Sequence, residues 1–295
     1  MPPKIAPIIS IIIGTYNQKE VLQKVLTSLC HQTVSNDLYE IIVVDSLSQD
    51  STSEIMPFFQ EKILLKYIRR ETSGKAAARN LGIKEAQGDI ILLTDADMIC
   101  DTRFIEEHIS FHQRYRNCAA EGLTYNLKEL KENFKEKSNL LPYITKKINA
   151  NDVLEWFSFL SGNLSIPKRV LNAIGLFDED FTGYGWEDLE LGYRAAKNGI
   201  MIRYLPSAIN YHFHPFLQED IVERKKKMGK SAAIFIRKHP QRYIKYFLGL
   251  NPLAMFLYYG IKLIPGLKKL AEKKWKYIWS EYVYREELIK ALKTK

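Results

Sequence analysis

Cysteine is scarce in this chain. Its three cysteines, Cys30, Cys100 and Cys118, are widely spaced along 295 residues and show no CxxC pair. The sequence therefore contains no disulfide framework, which is the usual device of small secreted proteins. This cysteine usage is typical of a reducing compartment and predicts a cytoplasmic protein.

Long hydrophobic runs are also absent. The N-terminal stretch MPPKIAPIIS lacks the long apolar segment and small-residue cleavage site of a signal peptide, so none is expected. The uncharged run over residues 246–261 has 16 residues and includes Asn251 and Pro252. Because a spanning helix needs about 20 apolar residues, we expect no transmembrane segment.

Two glycine-rich nucleotide-binding signatures are missing as well. A dinucleotide-binding fold would show GxGxxG after the first strand, but residues 14–19 read GTYNQK. A phosphate-binding P-loop would show GxxxxGK followed by Ser or Thr. Here Gly74-Lys75 is followed by Ala76, and no glycine stands five residues earlier. Both classes of nucleotide-binding protein are therefore excluded.

The composition is that of an ordinary folded protein, with 46% hydrophobic and 26% charged residues. The net charge of +9 is unevenly distributed. Residues 1–215 carry 24 Lys and Arg against 27 Asp and Glu, a net −3, and residues 216–295 carry 19 against 7, a net +12. The basic block therefore belongs to the last 80 residues and suggests an anionic membrane surface, with ordinary solvated helix faces as the alternative. No recognised nucleic-acid-binding module accompanies the charge, so no nucleic acid partner is expected.

Strand and helix patterns alternate through the first hundred residues. Short β-branched or apolar runs predict strands at Ile8–Ile13, at Glu40–Val44, around Tyr67 and at Ile90–Thr94. Helical periodicity follows the first three of them. Continuous apolar strands joined by helices predict an α/β fold with a mainly parallel sheet covered on both faces.

The helix boundaries follow from capping residues. Asn17 with Glu20 three residues later reads as a capping box for the first helix. Ser73 is expected to cap the helix KAAARNLGIKEAQ, and Gly88 is expected to end it.

Polar residues follow the predicted strands at one edge of the sheet, where ligands bind in folds of this kind. They are the segment GTYN at 14–17, Asp45, and the pair Asp95 and Asp97. If extended geometry persists, Asp95 and Asp97 point to the same side with Cα atoms roughly 6.6 Å apart, so both carboxylates could hold one divalent cation. The alternative is that they are loop acids near the start of the next helix.

Four segments of the chain resemble those of family 2 glycosyltransferases of the GT-A fold. They are ISIIIGTYN, EIIVVDSLSQDST, SGKAAARNLGIKEAQGDIILLTDADM and GYGWEDLELGYRAAKNG, and the resemblance covers residues 8–215. It implies a GT-A catalytic domain over residues 1–215, with a nucleotide-sugar-binding half at 1–122 and an acceptor-binding half at 123–215. It also implies an inverting transfer of a sugar from a nucleotide-diphosphate donor, expected to be UDP-linked, to a glycan, lipid-linked or other hydroxyl acceptor.

The resemblance also implies which residues bind the donor. The expected nucleotide-sugar-binding residues are Thr15, Tyr16, Asn17, Asp45, Lys75, Arg79, Asp95, Ala96 and Asp97. One motif departs from the family pattern, which commonly has two acids followed by glycine and serine, whereas residues 45–48 read Asp-Ser-Leu-Ser. The choice of base is open for this reason. Lys75 and Arg79 have the alternative reading of solvated charges on one helix face.

By this resemblance, the catalytic residues are expected in the segment GYGWED. Trp186 offers a flat ring on which an acceptor sugar could stack. Asp188 is the expected general base, and Glu187 is expected to bind acceptor or donor hydroxyls and is the second catalytic candidate. The alternative is that both are ordinary acids at a helix N-terminus, which leaves Trp186 unexplained.

The expected cofactor is Mn²⁺ or Mg²⁺. The resemblance makes Asp97 the direct ligand of the metal and Asp95 the acid that contacts ribose or metal-bound water, so that Asp95 is the second metal-site candidate. His212 and His214 alternate along an extended segment, and imidazole suits Mn²⁺ beside carboxylate oxygens. His212 is the preferred histidine, with His214 as the alternative or as a contact to the diphosphate.

Two further regions flank this core. The polar stretch 124–152 is expected to form a loop or short helices over the acceptor site. Residues 216–295 are expected to form basic, amphipathic helices, lying peripherally on the inner face of the membrane or packing on the catalytic domain. Two other functions remain open, a sugar nucleotidyltransferase and a non-catalytic protein that binds nucleotide sugars.

Overall fold

The computed structural model describes residues 6–72, 74–127, 136–137, 148–213 and 221–294. They form two compact units, one from Met1–Asp178 with Asp188–Pro215 and one from Glu179–Glu187 with Phe216–Lys295. Each unit is described by itself. No helix in the described ranges has the length and apolar character needed to cross a bilayer.

The first unit contains a ten-stranded sheet and the helices around it. The strands are β1 (Ile9–Thr15), β2 (Tyr39–Asp45), β3 (Leu65–Arg69), β4 (Ile90–Asp95), β5 (Met98–Cys100), β6 (Cys118–Leu127), β7 (Glu136–Lys137), β8 (Val153–Leu154), β9 (Asn163–Pro167) and β10 (Met201–Phe213). The helices are α1 (Lys19–Leu29), α2 (Met56–Gln60), α3 (Lys75–Glu85), α4 (Phe104–Arg114), α5 (Lys168–Ile174) and α6 (Glu187–Lys197). The first residue of α6, Glu187, is assigned to the second unit, and the rest of this helix to the first. Short 3₁₀ turns occupy Thr52–Ile55 and Trp156–Ser158.

The strand order is β3-β2-β1-β4-β9-β6-β10-β5, with β7 beside β6 and β8 beside β10. The first four strands are parallel, as the sequence predicts. β9 is antiparallel to both β4 and β6, so the second half of the sheet is mixed. The α/β fold class is confirmed, whereas the antiparallel strands in the second half carry no signal in the sequence pattern.

The register brings the predicted polar residues to one edge. Thr15 on β1 lies opposite Asp45 on β2, and Gly14 lies opposite Asp95 on β4. Parallel strands therefore end at the same level, and the loops after β1, β2 and β3 meet there.

Side chains alternate between two cores on the two faces of the sheet. Ile11 and Ile13 pack in one core with helices α1 and α4, and Ile12 packs in the other with α3, α5 and α6. Helix α3 lies very close to β1, because a Cβ atom added at Gly82 would approach Cγ2 of Ile12 to 2.5 Å. The small residues of α3 thus let it approach the sheet.

The predicted caps of α1 and α3 need correction. Asn17 has a φ of 51° and does not cap α1; its side-chain oxygen instead accepts a hydrogen bond from the backbone of Gln49 (2.7 Å). The backbone N–H of Lys19, at the start of α1, donates to Asp50 (2.8 Å), so the cap comes from a distant loop. Helix α3 ends at Glu85, before Gly88, and Ser73 lies outside the described residues.

The second unit is helical. Its helices are α7 (Ile221–Lys238), α8 (Arg242–Lys245), α9 (Pro252–Leu263), α10 (Pro265–Lys274) and α11 (Lys276–Lys293), with an irregular turn at Tyr246–Leu250 between α8 and α9. Helices α7 and α11 pack closely at Gly229, where an added Cβ would lie 2.3 Å from the carbonyl oxygen of Tyr284. The predicted helical character of the C-terminal region is confirmed.

The segment Glu179–Glu187 belongs to this second unit. Asp180 forms an ion pair with Lys238 (2.6 Å), and Phe181 packs edge-on against Phe235. The guanidinium of Arg224 lies over the ring of Tyr184 at 4.8 Å.

Candidate functional site

A cleft of about 430 Å³ opens at the carboxyl ends of the parallel strands. The loops after β1, β2 and β3, the start of α3 and the end of β4 form its wall. Its lining residues are Gly14, Thr15, Tyr16, Gln18, Ser46, Thr72, Gly74, Lys75, Ala78, Arg79 and Asp95. The position agrees with the general rule that open α/β sheets bind ligands outside these strand ends.

Five of the predicted donor-binding residues line this cleft. They are Thr15, Tyr16, Lys75, Arg79 and Asp95. The prediction missed Gln18, Ser46, Thr72, Gly74 and Ala78. Thr72 and Gly74 follow β3, and the same strand-end argument that singled out Asp45 and Asp95 would have found them.

Arg79 is the electrostatic centre of the cleft. Its side chain is only 4% exposed, and Nη2 lies 2.9 Å from Oδ1 of Asp95. Nζ of Lys75 lies 3.9 Å from the other oxygen of Asp95. Burial opposes the ionisation of Asp95, but the positive charges of Lys75 and Arg79, the hydrogen bond from Arg79 and the nearby His212 outweigh it and lower the pKa of Asp95 to about 2.

The same guanidinium reaches Asp188 on α6. Nη1 of Arg79 lies 3.0 Å from Oδ1 of Asp188. The second carboxylate oxygen of Asp188 accepts hydrogen bonds from the backbone N–H (3.2 Å) and the hydroxyl (2.9 Å) of Ser161. The carboxylate of Asp188 is therefore held in one orientation by two elements of the first unit.

Glu121 on β6 is a buried carboxyl close enough to Asp188 to sense its charge. Burial raises the pKa of Glu121 well above its usual range, and the negative charge of Asp188 adds to the rise. The backbone N–H of Leu160 donates to Glu121 (3.2 Å), which partly opposes this rise. Neither Glu121 nor Ser161 was predicted, because nothing in a single sequence marks them.

Asp97 is directed to a different partner from Asp95. The extended geometry on which their pairing depended ends at Asp95, and residues 96 and 97 form a turn before β5. Oδ2 of Asp97 lies 3.5 Å from Nε2 of His212, which antiparallel pairing of β5 with β10 places opposite Met98. The extended geometry assumed for this pair does not persist, because a turn follows Asp95. His212 nevertheless lies close enough to Asp95 to lower its pKa, and a shared cation for the two carboxylates stays a prediction.

His212 is oriented by a second contact. Its Nδ1 lies 3.1 Å from the side-chain oxygen of Asn126 on β6, which leaves Nε2 facing Asp97. His214 lies outside the described residues, as does most of the predicted acceptor loop 124–152, whose first residues instead extend β6 to Leu127. Within the described ranges, no cluster of three or more His, Cys, Asp or Glu side chains is arranged to hold a metal ion.

Four predicted donor-binding residues lie outside the cleft lining, namely Asp97, described above, and Asp45, Asn17 and Ala96. Asp45 is fully buried, and its carboxylate accepts hydrogen bonds from the backbone of Ser48 (2.8 Å) and the hydroxyl of Tyr67 (2.5 Å). Asn17 receives a hydrogen bond from Gln49 and so ties the β1 loop to the β2 loop. Ala96 is buried in the core between the sheet and α1.

Trp186 is packed within the second unit. Its indole N–H donates to the carbonyl oxygen of Met228 (3.0 Å), and its ring contacts those of Phe247 and Tyr284. Its φ of 76° is unusual for a bulky residue. Glu187, the next residue, is buried at the start of α6.

Comparison with protein-family models gives two matches. The model described as "Glycosyl transferase family 2" matches residues 10–174, which is more than half of the chain. A second model, described as "N-terminal domain of galactosyltransferase", matches residues 148–216.

Curated relatives are longer than this chain. The chain is 29% identical over 269 residues to chondroitin synthase from Escherichia coli, a match that covers 80% of this chain and 39% of that protein. It is 26% identical over 282 residues to validoxylamine A glucosyltransferase from Streptomyces hygroscopicus subsp. limoneus, covering 85% and 61% respectively. The chain thus spans between two fifths and about three fifths of the length of these relatives.

Solved structures with the same fold include two with bound nucleotide sugars. The mannosyltransferase PcManGT from Pyrobaculum calidifontis, in complex with GDP-Man and Mn²⁺, superposes with a TM-score of 0.64 at 18% identity, covering 99% of this chain and 89% of that one. S. aureus TarS in complex with UDP-GlcNAc superposes with a TM-score of 0.60 at 18% identity, covering 95% and 90%. At this identity the likeness establishes the fold.

Proposed function

The chain belongs to glycosyl transferase family 2, and from this premise we propose that it transfers a sugar, with inversion, from a nucleotide-diphosphate donor to a hydroxyl acceptor. The observation that carries the proposal is Arg79, which joins the donor cleft to the predicted base through Asp95 and Asp188. UDP is the expected nucleotide, and a glycan or lipid-linked molecule is the expected acceptor. TarS, which has the same fold, was solved with UDP-GlcNAc, and this supports the donor class.

The nucleotide is proposed to bind in the cleft. Tyr16 is 57% exposed in its wall and offers a ring face to the base, while Thr15 contributes backbone beside it. Lys75 lies at the same wall with its side chain 60% exposed and its Nζ 3.9 Å from Asp95, and its ammonium group is proposed to contact phosphate oxygens. A role for Asp45 in recognising the base stays a prediction. Its carboxylate accepts a hydrogen bond from the backbone of Ser48 and so orders the loop that carries Ser46.

A divalent cation is proposed to bind between Asp97 and His212. The pair suits Mn²⁺, since a carboxylate and an imidazole lie 3.5 Å apart at the end of the sheet. Asp95 is held by Arg79 and Lys75, so its contact to the metal is proposed to run through water. The remaining ligands would come from water and from the donor's diphosphate. The ion would supply Lewis-acid neutralisation of the leaving diphosphate.

Asp188 is proposed to take the acceptor's proton. The acceptor oxygen forms a bond to C1 of the sugar from the face opposite the diphosphate, the bond from C1 to the diphosphate oxygen breaks, and the hydroxyl proton passes to Asp188. Arg79 and Ser161 orient the carboxylate for this step. Glu187 is proposed to bind hydroxyl groups of the acceptor or donor, and Trp186 to contact the acceptor.

Two alternatives predict different behaviour. A sugar nucleotidyltransferase would form a nucleotide sugar from a sugar phosphate and a nucleoside triphosphate, and the family match argues against it. A non-catalytic protein would bind the donor without releasing nucleoside diphosphate.

The experiment that tests the proposal is a donor panel. Purified protein is incubated with UDP- and GDP-linked sugars and Mn²⁺, and release of nucleoside diphosphate is measured with and without chelator. We expect turnover with one donor class, lost with chelator and in Asp97→Ala, and retained in the exposed-residue control Asp89→Asn. Donor binding without turnover across the panel, with a set of glycan acceptors present, would support the non-catalytic alternative. Full activity in chelator would refute the metal-assisted reaction.

We also propose that the enzyme works in the cytoplasm at the inner face of a membrane. The net charge of +12 over residues 216–295 supports this placement, because the cytoplasmic leaflet carries anionic lipids. No nucleic acid partner is proposed.

A further inference from the structure

Helix α9 carries two apolar stripes, of which only one is buried. Ala254, Tyr258 and Ile261 recur at helical spacing and face the interior of the second unit. A second stripe is exposed to solvent and includes Leu253 (70% exposed), Phe256 (75%) and Leu263 (74%). Leu257 continues it at the spacing of one helix face, and the exposed Ile264 follows directly after the last residue of α9. We call these five residues the α9 outer stripe.

The buried stripe packs α9 against α11, with Met255 of α9 and Leu267 of α10 beside it. The ring of Tyr258 stacks on that of Tyr282 from α11 at 5.2 Å, and Tyr282 stacks on Trp279 at 5.1 Å. The backbone N–H of Ala254 is capped by Asn251 (3.0 Å). The outer stripe lies outside this buried cluster, and its exposure carries a cost in water.

A groove between α9 and α11 extends the apolar surface. It has a volume of about 330 Å³, and Leu253 and Leu257 of the outer stripe form one wall. Tyr277 and Ile278, both exposed, form part of the other wall. The groove is mainly apolar, with Asn251, Glu281 and Arg285 also in its lining. Apolar surface with aromatic residues at its edge is a composition found where proteins meet the bilayer interface.

The sequence around this apolar surface is rich in positive charge. Residues 251–280 contain six lysines and one glutamate, a net +5. The lysines are Lys262, Lys268, Lys269, Lys273, Lys274 and Lys276, and all of them are exposed. Lysine side chains can extend from an apolar surface towards anionic headgroups.

We propose that the α9 outer stripe inserts into the interface of an anionic lipid bilayer while the surrounding lysines contact the headgroups. The 12-residue helix is too short to cross the bilayer and suits a position parallel to its surface. A second copy of this chain is a poorer occupant, because pairing the two surfaces would oppose two regions of net +5. This docking surface is independent of sugar transfer, so each can be tested without the other.

The test is vesicle co-sedimentation of the full chain, with vesicles of phosphatidylcholine alone and with added phosphatidylglycerol. We expect binding only to the anionic vesicles, and weaker binding as salt rises from low to physiological ionic strength. Phe256→Glu with Leu263→Glu should lower partitioning on the order of 100-fold, because two apolar side chains no longer insert. Lys273→Glu with Lys274→Glu should lower it on the order of 30-fold.

The matched control is Phe58→Glu, which changes an aromatic side chain that is 53% exposed in the first unit. It should bind anionic vesicles like the unmodified protein. Circular dichroism checks that each variant is folded, and Leu253→Glu serves as a second variant if the double change unfolds the unit. Equal binding by the stripe variants and the unmodified protein would overturn the proposal. So would a dimer, detected by sedimentation without vesicles, that the stripe substitutions abolish.

Discussion

Nη1 of Arg79 lies 3.0 Å from Oδ1 of Asp188, which makes a buried arginine on α3 the direct partner of the proposed base on α6. The other nitrogen of the same guanidinium binds Asp95 at the end of β4 (2.9 Å). One rigid, planar cation therefore joins the donor cleft to the proton-accepting group. The sequence predicted only that Arg79 binds the donor, and the structure adds its contact with Asp188.

Replacing Arg79 should impair both activity and stability. Arg79→Met leaves two partly buried carboxylates without their shared cation, so we expect turnover to fall on the order of 100-fold. The free energy of unfolding should fall by about 3 kcal/mol. Steady-state kinetics and urea unfolding measure the two effects. Lys84→Met, an exposed lysine on the same helix, is the control and should change neither. Unaltered turnover in Arg79→Met would show that the bridge has no part in catalysis.

Asp188→Asn should separate donor binding from proton transfer. The amide cannot accept the acceptor's proton, and we expect kcat to fall by about 10²- to 10⁴-fold. The donor's Kd should change by less than about threefold, because Asp188 is absent from the cleft lining. Calorimetric titration of the donor and single-turnover kinetics measure the two quantities. Asp89→Asn is the matched exposed control. An unchanged kcat in Asp188→Asn would show that another group acts as the base.

Two buried histidines should make stability depend on pH. Burial lowers the pKa of His108 to about 3 and that of His112 to about 4, and both rings contact the hydroxyl of Ser165 at 2.8 Å. In the unfolded chain each would titrate near its usual value of about 6.5, so the unfolded state binds more protons between about pH 6.5 and 4. The stability contributed by neutral histidines is therefore present above about pH 6.5 and is lost as pH falls.

The size of this effect can be measured by urea unfolding at pH 7.5 and 5.5. We expect the unfolding free energy to fall by about 2 to 3 kcal/mol between these values, roughly half from each histidine. His112→Asn should remove about half of the loss. His31→Gln, an exposed histidine on the first unit, should leave it unchanged. A pH dependence that is identical in His112→Asn and the unmodified protein would contradict the assignment.

Trp186 should act as an anchor of the segment Glu179–Glu187. Trp186→Phe removes the hydrogen bond to Met228 while keeping an aromatic ring against Phe247 and Tyr284, so we expect the second unit to lose about 1 kcal/mol of stability. Thermal unfolding followed by tryptophan fluorescence and circular dichroism measures it, with Trp275→Phe as the exposed control. The predicted acceptor contact is tested by the same variant, as a rise in acceptor KM with donor hydrolysis unchanged. An unchanged unfolding midpoint would contradict the anchoring role.

The site was only partly predictable. Thr15, Asp45 and Asp95 could be placed together from the sequence, because parallel strands end at a common edge and each residue follows an apolar run. The extended backbone assumed at Asp97 is not present, because a strand pattern gives no sign of where its extended conformation stops. The partners of Asp188 were beyond prediction, since Ser161 is 27 residues and Arg79 109 residues away along the chain.

The sequence by itself determined the α/β class, the parallel half of the sheet and the basic helical region, since these follow from local periodicity and charge. Only the tertiary structure decided which polar groups meet. It turned Asp97 towards His212, buried Asp45 against Tyr67, and left one apolar stripe of α9 in solvent. The physical reason is that hydrogen bonds and ion pairs depend on distances of a few ångströms between segments far apart in the chain, which hydrophobic periodicity does not encode.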